Sequence, residues 1–212
     1  MSAVVLIGIL ALSYFLGSVP VGLLITKWKT GGDLRKTGSG KTGATNVMRS
    51  AGTKLGFLTL FLDGLKAGVA VIIATMVASQ VALGFGSLVL DVSAVQGLSG
   101  LAAMAGHNRP MFSRFRGGRG VSAFFGTMCV IHLPAALFGI EVLAIVALIS
   151  RRMSLGSLLG GVATCSVMLV LFLTGWVPLP HLLYAVVATG WLVLKHRDNI
   201  GRLRDGTERR LF

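Results

Sequence analysis

The sequence predicts an all-α integral membrane protein, a polytopic bundle of about seven transmembrane helices, some of them short. Composition, the length of the apolar runs and the placement of the basic residues carry this prediction. Of the 212 residues, 54% are hydrophobic and 13% are charged, and the mean hydropathy is +0.82. These values lie outside the range of ordinary soluble domains. We therefore expect residues 1–212 to form a single membrane-embedded domain.

Apolar runs long enough to cross a bilayer recur along the chain. A helix rises about 1.5 Å per residue, so about 20 residues span the hydrocarbon core. The runs lie at about residues 4–25, 55–77, 88–106, 121–150, 155–174 and 181–194. The first run has no basic segment before it and no cleavage-site pattern, which predicts a retained span rather than a signal peptide. Most runs predict one crossing each, and the last predicts a short helix.

The run at residues 121–150 is long for one helix and short for two, and Pro134 lies near its middle. The basic residues decide how often it crosses, because Lys and Arg favour cytoplasmic loops. They cluster in residues 27–54, 109–119, 151–152 and 195–210. Two short crossings, or a re-entrant hairpin that turns near Pro134, place every cluster on one side. This pattern predicts the N-terminus outside, the C-terminus inside and the loops at the cytoplasmic face.

The formal net charge of +13 would suggest nucleic-acid binding in a soluble protein. Here the positive charges lie between apolar runs, so we expect a lipid bilayer and no nucleic acid as the partner. Cys129 and Cys165 lie in apolar stretches without metal-binding spacing, which predicts buried free thiols. Carboxylates are few and unclustered in the loops, so no metal and no cofactor are expected.

Asp63 and Lys66 lie within the second apolar run, three residues apart and therefore on one helical face. An isolated charge at the membrane centre costs about 3 kcal/mol or more, so each of them needs a partner. One interpretation is a structural ion pair between the two side chains. The other is that Lys66 helps to hold an anionic ligand, and the residues alone leave both open.

The first loop, residues 38–49, is rich in glycine, hydroxyl groups and positive charge. Gly38 and Gly40 permit tight turns in which backbone N–H groups converge. The neutral donors and cations of this loop are Ser39, Thr42, Thr45, Asn46, Lys41 and Arg49. The combination predicts a binding site for a phosphate. The fragment GSGKT is not a Walker A motif, because Arg35 stands where that motif needs glycine and no buried strand precedes it.

The second loop, residues 106–121, carries Gly117, Gly118, Arg119 and Gly120 directly before the predicted fourth helix. Their N–H groups and the positive end of the helix dipole favour a second phosphate there.

The C-terminal segment, residues 195–208, begins where the last predicted helix ends. His196 and Asn199 are three residues apart in it, so we expect them on one face, where they can point back toward a site.

Together the three segments resemble the motifs of the PlsY family of bacterial acyl-phosphate:glycerol-3-phosphate acyltransferases. The first loop is similar to GSGN-x-GATN-x-x-R, the second loop to GH-x-FPVF-x-x-FKGGKG, and the C-terminal segment to HR-x-NI-x-RL-x-x-G-x-E. They occur in this order across essentially the whole chain. The sequence departs from the pattern with Lys41 for Asn, Arg109 for Phe and Arg119 for Lys. Arg119 keeps the charge but replaces a compact ammonium with a planar fork.

The resemblance implies transfer of a fatty acyl group from acyl phosphate to the 1-position hydroxyl of glycerol 3-phosphate, giving lysophosphatidic acid and phosphate. By similarity, the residues that contact glycerol 3-phosphate or polarise the reacting groups are Ser39, Arg49, Arg119, His196 and Asn199. Gly117, Gly118 and Gly120 would hold the phosphate of acyl phosphate, and Gly38, Gly40, Thr45 and Asn46 are further expected substrate contacts. The resemblance also implies a bacterial inner membrane and a neighbouring acyltransferase that forms acyl phosphate.

No histidine is followed by Asp five positions later, because those positions hold Phe112, Leu137, Val186 and Gly201. The H-x-x-x-x-D pattern of other glycerolipid acyltransferases is therefore missing, and we expect the substrate's own phosphate to act as the base. Acyl-CoA and acyl carrier protein remain possible donors on chemistry alone. Two other functions stay open: a membrane transporter for a phosphorylated metabolite, which would place polar groups near the midplane, and a small structural membrane subunit.

Overall fold

Helices make up most of the chain in the computed structural model, which describes residues 2–85 and 87–211. The helices are α1 (Ser2–Ser18), α2 (Val21–Thr30), α3 (Ala44–Ala51), α4 (Thr53–Ala78), α5 (Val92–Asn108), α6 (Val121–Ile131), α7 (Leu133–Ser150), α8 (Met153–Leu173), α9 (Leu179–Lys195) and α10 (Arg197–Arg204). Short 3-10 turns lie at Leu34–Lys36 and Met111–Ser113, and strands β1 (Leu83–Phe85) and β2 (Leu88–Leu90) form an antiparallel hairpin. The predicted helical class is confirmed, and the hairpin is an addition that the sequence did not predict.

Several helices have the length and composition of membrane spans. The long apolar stretches are Ser2–Thr30, Thr53–Ala78, Leu133–Ser150 and Met153–Leu173, and the shorter apolar helices are Val121–Ile131 and Leu179–Lys195. Large side chains cover the outward faces, such as Ile149 at 80% and Leu173 at 73% exposure. Such faces suit hydrocarbon rather than water. The count of about seven crossings and the sidedness of the termini stay predictions.

The ambiguous run at residues 121–150 is broken, as predicted. Helix α6 ends at Ile131, and Nδ1 of His132 accepts a hydrogen bond from the Ala135 N–H at 3.2 Å, which caps α7. Pro134 lies in the first turn of α7, where its missing N–H costs nothing. Helix α7 has 18 residues, so the second half of the run is longer than the short crossing that the sequence predicted.

Two other run boundaries differ from the prediction. The first run is divided at Val19 and Pro20 into α1 and α2, because proline lacks an N–H group and interrupts a helix. The third run begins with strand β2, and its helix α5 starts only after Asp91, whose side chain accepts from the Ala94 N–H at 2.7 Å. An N-cap carboxylate of this kind fixes where the helix begins.

The chain forms two compact units, and the first ends at Thr127. In it α1 packs against α4 and α5, and α3 packs along α4. The hydroxyls of Ser13 and Ser99 are 2.8 Å apart, and Ser99 also donates to the Ala70 carbonyl at 3.1 Å. These bonds join α1, α5 and α4 inside an apolar core, where polar groups need partners.

The second unit begins at Met128. Helix α8 packs on both α7 and α9, and its core includes the fully buried side chains of Met168, Tyr184 and Leu192. Gly160 lets α8 approach α7 closely, because a Cβ there would overlap the Gly139 carbonyl. A turn at His196 separates α9 from α10, so the C-terminal segment follows directly on the last long helix.

Candidate active site

Asn46 holds the first loop in shape. The side chain is buried at 3% exposure, and its amide nitrogen lies 2.9–3.2 Å from the carbonyl oxygens of Leu34, Thr37 and Lys41. Its Oδ1 accepts a hydrogen bond from the Ser39 N–H at 3.2 Å. An amide has two N–H hydrogens, so these carbonyls occupy them. In this structure Asn46, predicted as a substrate contact, directs its donors to the loop backbone.

Gly38 and Gly40 flank Ser39 with φ angles of +57° and +67°. This left-handed region is open to glycine and strained for most other residues. A Cβ at Gly38 would also overlap Oδ1 of Asn46. The two glycines therefore permit the tight turns that bring Ser39 against the Asn46 amide.

The remaining polar groups of the first loop lie before α3 and along it. Helix α3 begins at Ala44 without a side-chain cap, so its first N–H groups and the positive end of its dipole face the loop. Ser39 and Thr45 are half-buried, and Lys41 is exposed within the loop. Arg49 is exposed in the last turn of α3. Helix dipole, hydroxyls and cations of this kind suit a phosphate ligand.

Arg35 lies in the 3-10 turn just before the first loop and contacts the second loop within the first unit. Its guanidinium makes a bidentate contact with Asp33, at 3.0 Å from Nε and 2.8 Å from Nη2, and its Nη1 donates to the Ser113 carbonyl at 3.5 Å. The side-chain and backbone hydrogen bonds from Arg35 lower the pKa of Asp33 to about 2. Asp33 thus holds the Arg35 guanidinium that contacts the second loop.

The glycines of the second loop pack around the end of α5. A Cβ at Gly117 would overlap the His107 carbonyl, and one at Gly118 would overlap the His107 ring. Gly120 has a φ of +91° and lies against the Asn108 amide. Helix α6 begins at the next residue, as predicted. Close packing therefore requires these glycines independently of any bound anion.

Arg119 lies half-buried between two of these glycines, at the start of α6. Asn108, which the motif pattern treats as a variable position, lies against the neighbouring Gly120. Asn108 is buried, and neither Nδ2 nor Oδ1 has a hydrogen-bond partner among the described residues. A buried amide without partners costs free energy, so it marks a place that a ligand or an ordered water can complete.

Asp63 and Lys66 form the predicted ion pair, with Nζ and Oδ1 2.7 Å apart. Lys66 also donates to the Val19 carbonyl at 2.6 Å, at the break between α1 and α2. These contacts support the structural interpretation of the pair. His107 joins the cluster, with Nδ1 3.5 Å from the same Asp63 oxygen. The sequence did not reveal this His–Asp contact, because its members lie on different helices and outside the H-x-x-x-x-D spacing.

His196 and Asn199 lie in the second unit, where both side chains are buried. The Asn199 N–H donates to the His196 carbonyl at 2.8 Å, which places the two residues in one helical turn as the spacing predicted. Nδ1 of His196 lies 2.8 Å from the Leu192 carbonyl oxygen. Oδ1 of Asn199 is buried and has no partner within the described part of the chain.

Glu208 organises this segment, although the predicted site did not include it. Its Oε1 accepts from Ser154 at 2.7 Å and from Nδ2 of Asn199 at 2.6 Å, and its Oε2 accepts from Arg202 at 2.7 Å. Burial raises the pKa of Glu208, but the hydrogen bonds from these three residues outweigh it, so the pKa lies below its ordinary value. The carboxylate thus holds the Asn199 amide in a fixed orientation.

Known proteins similar to this chain identify its family. The model of a family described as glycerol-3-phosphate acyltransferase matches residues 7–206. The chain belongs to this family. A glycerol-3-phosphate acyltransferase 3 from Dehalococcoides mccartyi strain CBDB1 is 44% identical over 203 residues, which cover 96% of this chain and 94% of the relative. A glycerol-3-phosphate acyltransferase from a strain of Thermus thermophilus is 40% identical over 202 residues, covering 95% of this chain and 93% of the relative.

Two crystal structures of PlsY (YgiH), an integral membrane glycerol 3-phosphate acyltransferase, resemble the chain. The glycerol 3-phosphate form has a TM-score of 0.83 at 35% identity, and it covers 97% of this chain and 94% of that one. The lysophosphatidic acid form has a TM-score of 0.81 at 33% identity, with the same coverage. The resemblance to the PlsY family that the three motifs indicated is therefore confirmed.

For this member of the acyltransferase family, the structure brings part of the predicted site together. Ser39 and Asn46 of the first loop share a hydrogen bond, and Arg35, just before that loop, donates to the Ser113 carbonyl of the second loop. Sequence reasoning missed Asn108, His107 and Glu208 as organising residues. The positions of His107 and Glu208 in the motifs were the available signal, whereas Asn108 gave none.

Proposed function

We propose that this chain transfers a fatty acyl group from acyl phosphate to the 1-position hydroxyl of glycerol 3-phosphate, forming lysophosphatidic acid and inorganic phosphate. The first loop carries the proposal: a glycine-rich turn held by Asn46 at the positive end of α3. Substrate and product are supported by the related crystal structures, in glycerol 3-phosphate and lysophosphatidic acid forms. Acyl phosphate as the donor is supported by the resemblance of the three motifs to the PlsY family.

Each predicted residue receives a proposed role. Ser39, Arg49 and Arg119 contact glycerol 3-phosphate or polarise the reacting groups, and His196 and Asn199 share this task. Gly117, Gly118 and Gly120 hold the phosphate of the donor, and Gly38, Gly40 and Thr45 contribute to the acceptor site. Asn46 acts by fixing the backbone N–H of Ser39 rather than by direct contact.

The chemistry needs orientation and charge stabilisation, because acyl phosphate is an activated mixed anhydride. The acceptor's hydroxyl oxygen attacks the acyl carbon and forms a tetrahedral oxyanion, which N–H groups and cations of the loops stabilise. The bond between the acyl carbon and the phosphate oxygen then breaks. The hydroxyl proton passes to the phosphate of glycerol 3-phosphate as the base, and inorganic phosphate leaves. No covalent acyl-enzyme forms, so a trapped acyl adduct on Ser39 would contradict this mechanism.

We also propose in which membrane the enzyme lies and on which side its loops face. We place it in the bacterial inner membrane as one membrane-embedded domain, with the first loop, the second loop and the C-terminal segment on the cytoplasmic side. The bilayer receives the lipid product. A neighbouring acyltransferase that forms acyl phosphate supplies the donor.

The test is an assay of purified protein with labelled glycerol 3-phosphate and acyl phosphate, acyl-CoA or acyl carrier protein in turn. Lysophosphatidic acid is expected from acyl phosphate only. Arg49→Ala is expected to lower kcat/KM by about a hundredfold or more, because a cation at a developing charge contributes several kcal/mol. Lys29→Ala is the matched control, since Lys29 is also exposed but lies in α2 outside the motifs.

The same preparation, reconstituted into vesicles, separates the enzyme from the transporter. Uptake of labelled glycerol 3-phosphate without any acylated product would reject the proposal. Product formed only from acyl-CoA or from acyl carrier protein would support the acyltransferase activity but contradict acyl phosphate as the donor.

A further inference from the structure

A buried polar network in the first unit ends at the second loop. Asp63 lies in the middle of α4, and its Oδ1 is 3.5 Å from Nδ1 of His107 at the end of α5. The same oxygen is 2.7 Å from Nζ of Lys66, which in turn donates to the Val19 carbonyl. The network therefore connects α4 and α5 with the break between α1 and α2.

His107 contacts Gly118 of the second loop in two ways. Its carbonyl accepts a hydrogen bond from the Gly118 N–H at 3.2 Å. Its ring lies so close to Gly118 that a Cβ at that position would overlap Nε2. The main chain and the side chain of one residue thus determine where the Gly118 peptide lies.

The ionised carboxylate of Asp63 influences which tautomer the His107 ring adopts. A carboxylate oxygen only accepts hydrogen bonds, so it favours the tautomer of His107 that carries its hydrogen on Nδ1. Burying an ionised carboxylate in a membrane helix costs free energy that an apolar side chain would not cost. Lys66 offsets part of this cost, while Oδ2 of Asp63 has no partner in the described residues. A buried charge that is only partly compensated, next to a loop proposed to bind substrate, indicates a role in that loop.

We infer that Asp63 is a positioning residue, which acts through His107 to set Gly118 and with it the phosphate-binding face of the second loop. The inference rests on the proposed function, in which Gly117, Gly118 and Gly120 hold the phosphate of the acyl donor. It predicts that Asp63 affects the donor and not the acceptor, although its side chain touches neither substrate.

The experiment is a double-mutant cycle in the full-length protein. Asp63→Asn keeps the shape of the side chain and removes its charge, and His107→Gln removes the ring nitrogen that faces Asp63. We expect Asp63→Asn to raise the KM for acyl phosphate about tenfold and to change the KM for glycerol 3-phosphate less than about twofold. In the His107→Gln background, Asp63→Asn is expected to add less than about twofold, because the connection is already broken.

A second variant leaves Asp63 in place. His107→Asn keeps a nitrogen near the Nδ1 position and loses the ring contact with Gly118 but not the main-chain hydrogen bond, so it is expected to raise the KM for acyl phosphate as Asp63→Asn does. Ser99→Ala is the matched control: the Ser99 hydroxyl is buried on the same helix α5, eight residues before His107, and it bonds to Ser13 and to the Ala70 carbonyl. It is expected to lower stability without changing the KM ratio of the two substrates.

Hydrogen exchange of residues 114–121 gives a readout that does not depend on turnover. The Asp63→Asn variant is expected to exchange about tenfold faster there than the wild type, and Ser99→Ala is not. Unchanged exchange, equal rises in both KM values, or additive effects in the cycle would each overturn the inference. A wild-type enzyme without product from acyl phosphate would overturn the proposed donor instead, while faster exchange in Asp63→Asn alone would still support the network.

Discussion

At the scale of single residues, the shape of the first loop depends on one amide. Asn46 donates to the carbonyls of Leu34, Thr37 and Lys41, and it adds to the bonds that the first two already accept from the N–H groups of Thr37 and Gly40. Each such hydrogen bond contributes about 0.5–1.5 kcal/mol to stability. An asparagine is suited to this task because it offers two donors and an acceptor on one short side chain.

Asn46→Asp is therefore expected to be more damaging than Asn46→Ala. The aspartate brings a negative oxygen to face the three carbonyl oxygens, whereas alanine only removes the bonds. We expect a stability loss of about 2 kcal/mol for alanine and about 4 kcal/mol for aspartate, measured by thermal unfolding in detergent.

Ser50→Ala is the control for these variants, because the Ser50 hydroxyl lies on the same helix α3 and bonds to the Asn46 carbonyl at 2.8 Å. Its cost is expected to stay below about 0.5 kcal/mol. An aspartate variant as stable as the alanine variant would show that the amide hydrogens do not hold the loop.

The sequence identified the chemical types of the site residues more reliably than their contacts. Asn46 was predicted as a donor in the first loop, and it is one, but its hydrogens go to the backbone. The contact of Asp63 with His107 joins residues from two helices. Motif spacing describes neighbours along the chain, so it contains no information about such pairs.

At the scale of elements, glycines decide how closely helices approach in the second unit. Gly160 on α8 lies against the Gly139 carbonyl and Leu143 of α7, and a Cβ would overlap both. Gly190 on α9 has nothing within 4 Å of the same hypothetical atom. Two glycines in helix interiors thus have opposite surroundings, which hydropathy alone does not distinguish.

Gly160→Ala is expected to destabilise the protein by about 1–3 kcal/mol, because overpacking forces the helices apart. Gly190→Ala is expected to stabilise it by about 0.5–1 kcal/mol through helix propensity. Unfolding of both variants in the same detergent measures the difference. Equal effects of the two substitutions would refute the close approach of α7 and α8.

The carboxylate of Glu208 makes the docking of the C-terminal segment dependent on pH. Its pKa in the folded protein lies below the ordinary 4.5. The stabilisation is therefore complete above the unfolded pKa and is lost as pH falls through the lower folded value. Glu208→Gln is expected to lower the unfolding midpoint at pH 7 by about 4 °C, and this difference from wild type should shrink below pH of about 4.5.

Asp205→Asn controls for the Glu208 experiment, because Asp205 is an exposed acid of the same segment. It is expected to show no such pH-dependent difference. A gap between Glu208→Gln and wild type that stays constant down to pH of about 3 would contradict the assignment.

Apolar runs predicted the long helices because a span of about 20 apolar residues has few alternatives in a bilayer. They did not predict α3, which is a short helix inside a glycine-rich loop, or the hairpin of β1 and β2. The division of the first run at Pro20 was also missed. Each of these features is decided by a few backbone hydrogen bonds rather than by hydropathy.

At the scale of the whole molecule, the clusters of basic residues predict that the loops lie on one side of the membrane. Lys36 precedes the first loop and Arg114 lies in the second, whereas the connections at Gln80 and Trp176 have no basic neighbours. All four residues are exposed in the structure. The sidedness of the protein can therefore be tested by whether a reagent outside the cell reaches these positions.

Single cysteines at these positions test that access after Cys129 and Cys165 have been replaced by alanine. In intact cells, a membrane-impermeant maleimide is expected to label Gln80→Cys and Trp176→Cys and to leave Lys36→Cys and Arg114→Cys unlabelled. Permeabilised cells should label all four, which controls for reactivity. Labelling of Lys36→Cys from outside would reverse the predicted orientation.

Gly40 shows what kind of variation the first loop can accept. Its φ is +67°, yet an added Cβ would lie 3.4 Å from its nearest neighbour, the Arg35 carbonyl oxygen, which is an ordinary contact. Glycine is therefore favoured at this position by the left-handed backbone conformation and not by lack of space for a side chain. An L-alanine there would cost about 1–2 kcal/mol in backbone strain alone. The exposed Lys41 beside it has no positive φ, so a substitution at Lys41 carries no such backbone penalty.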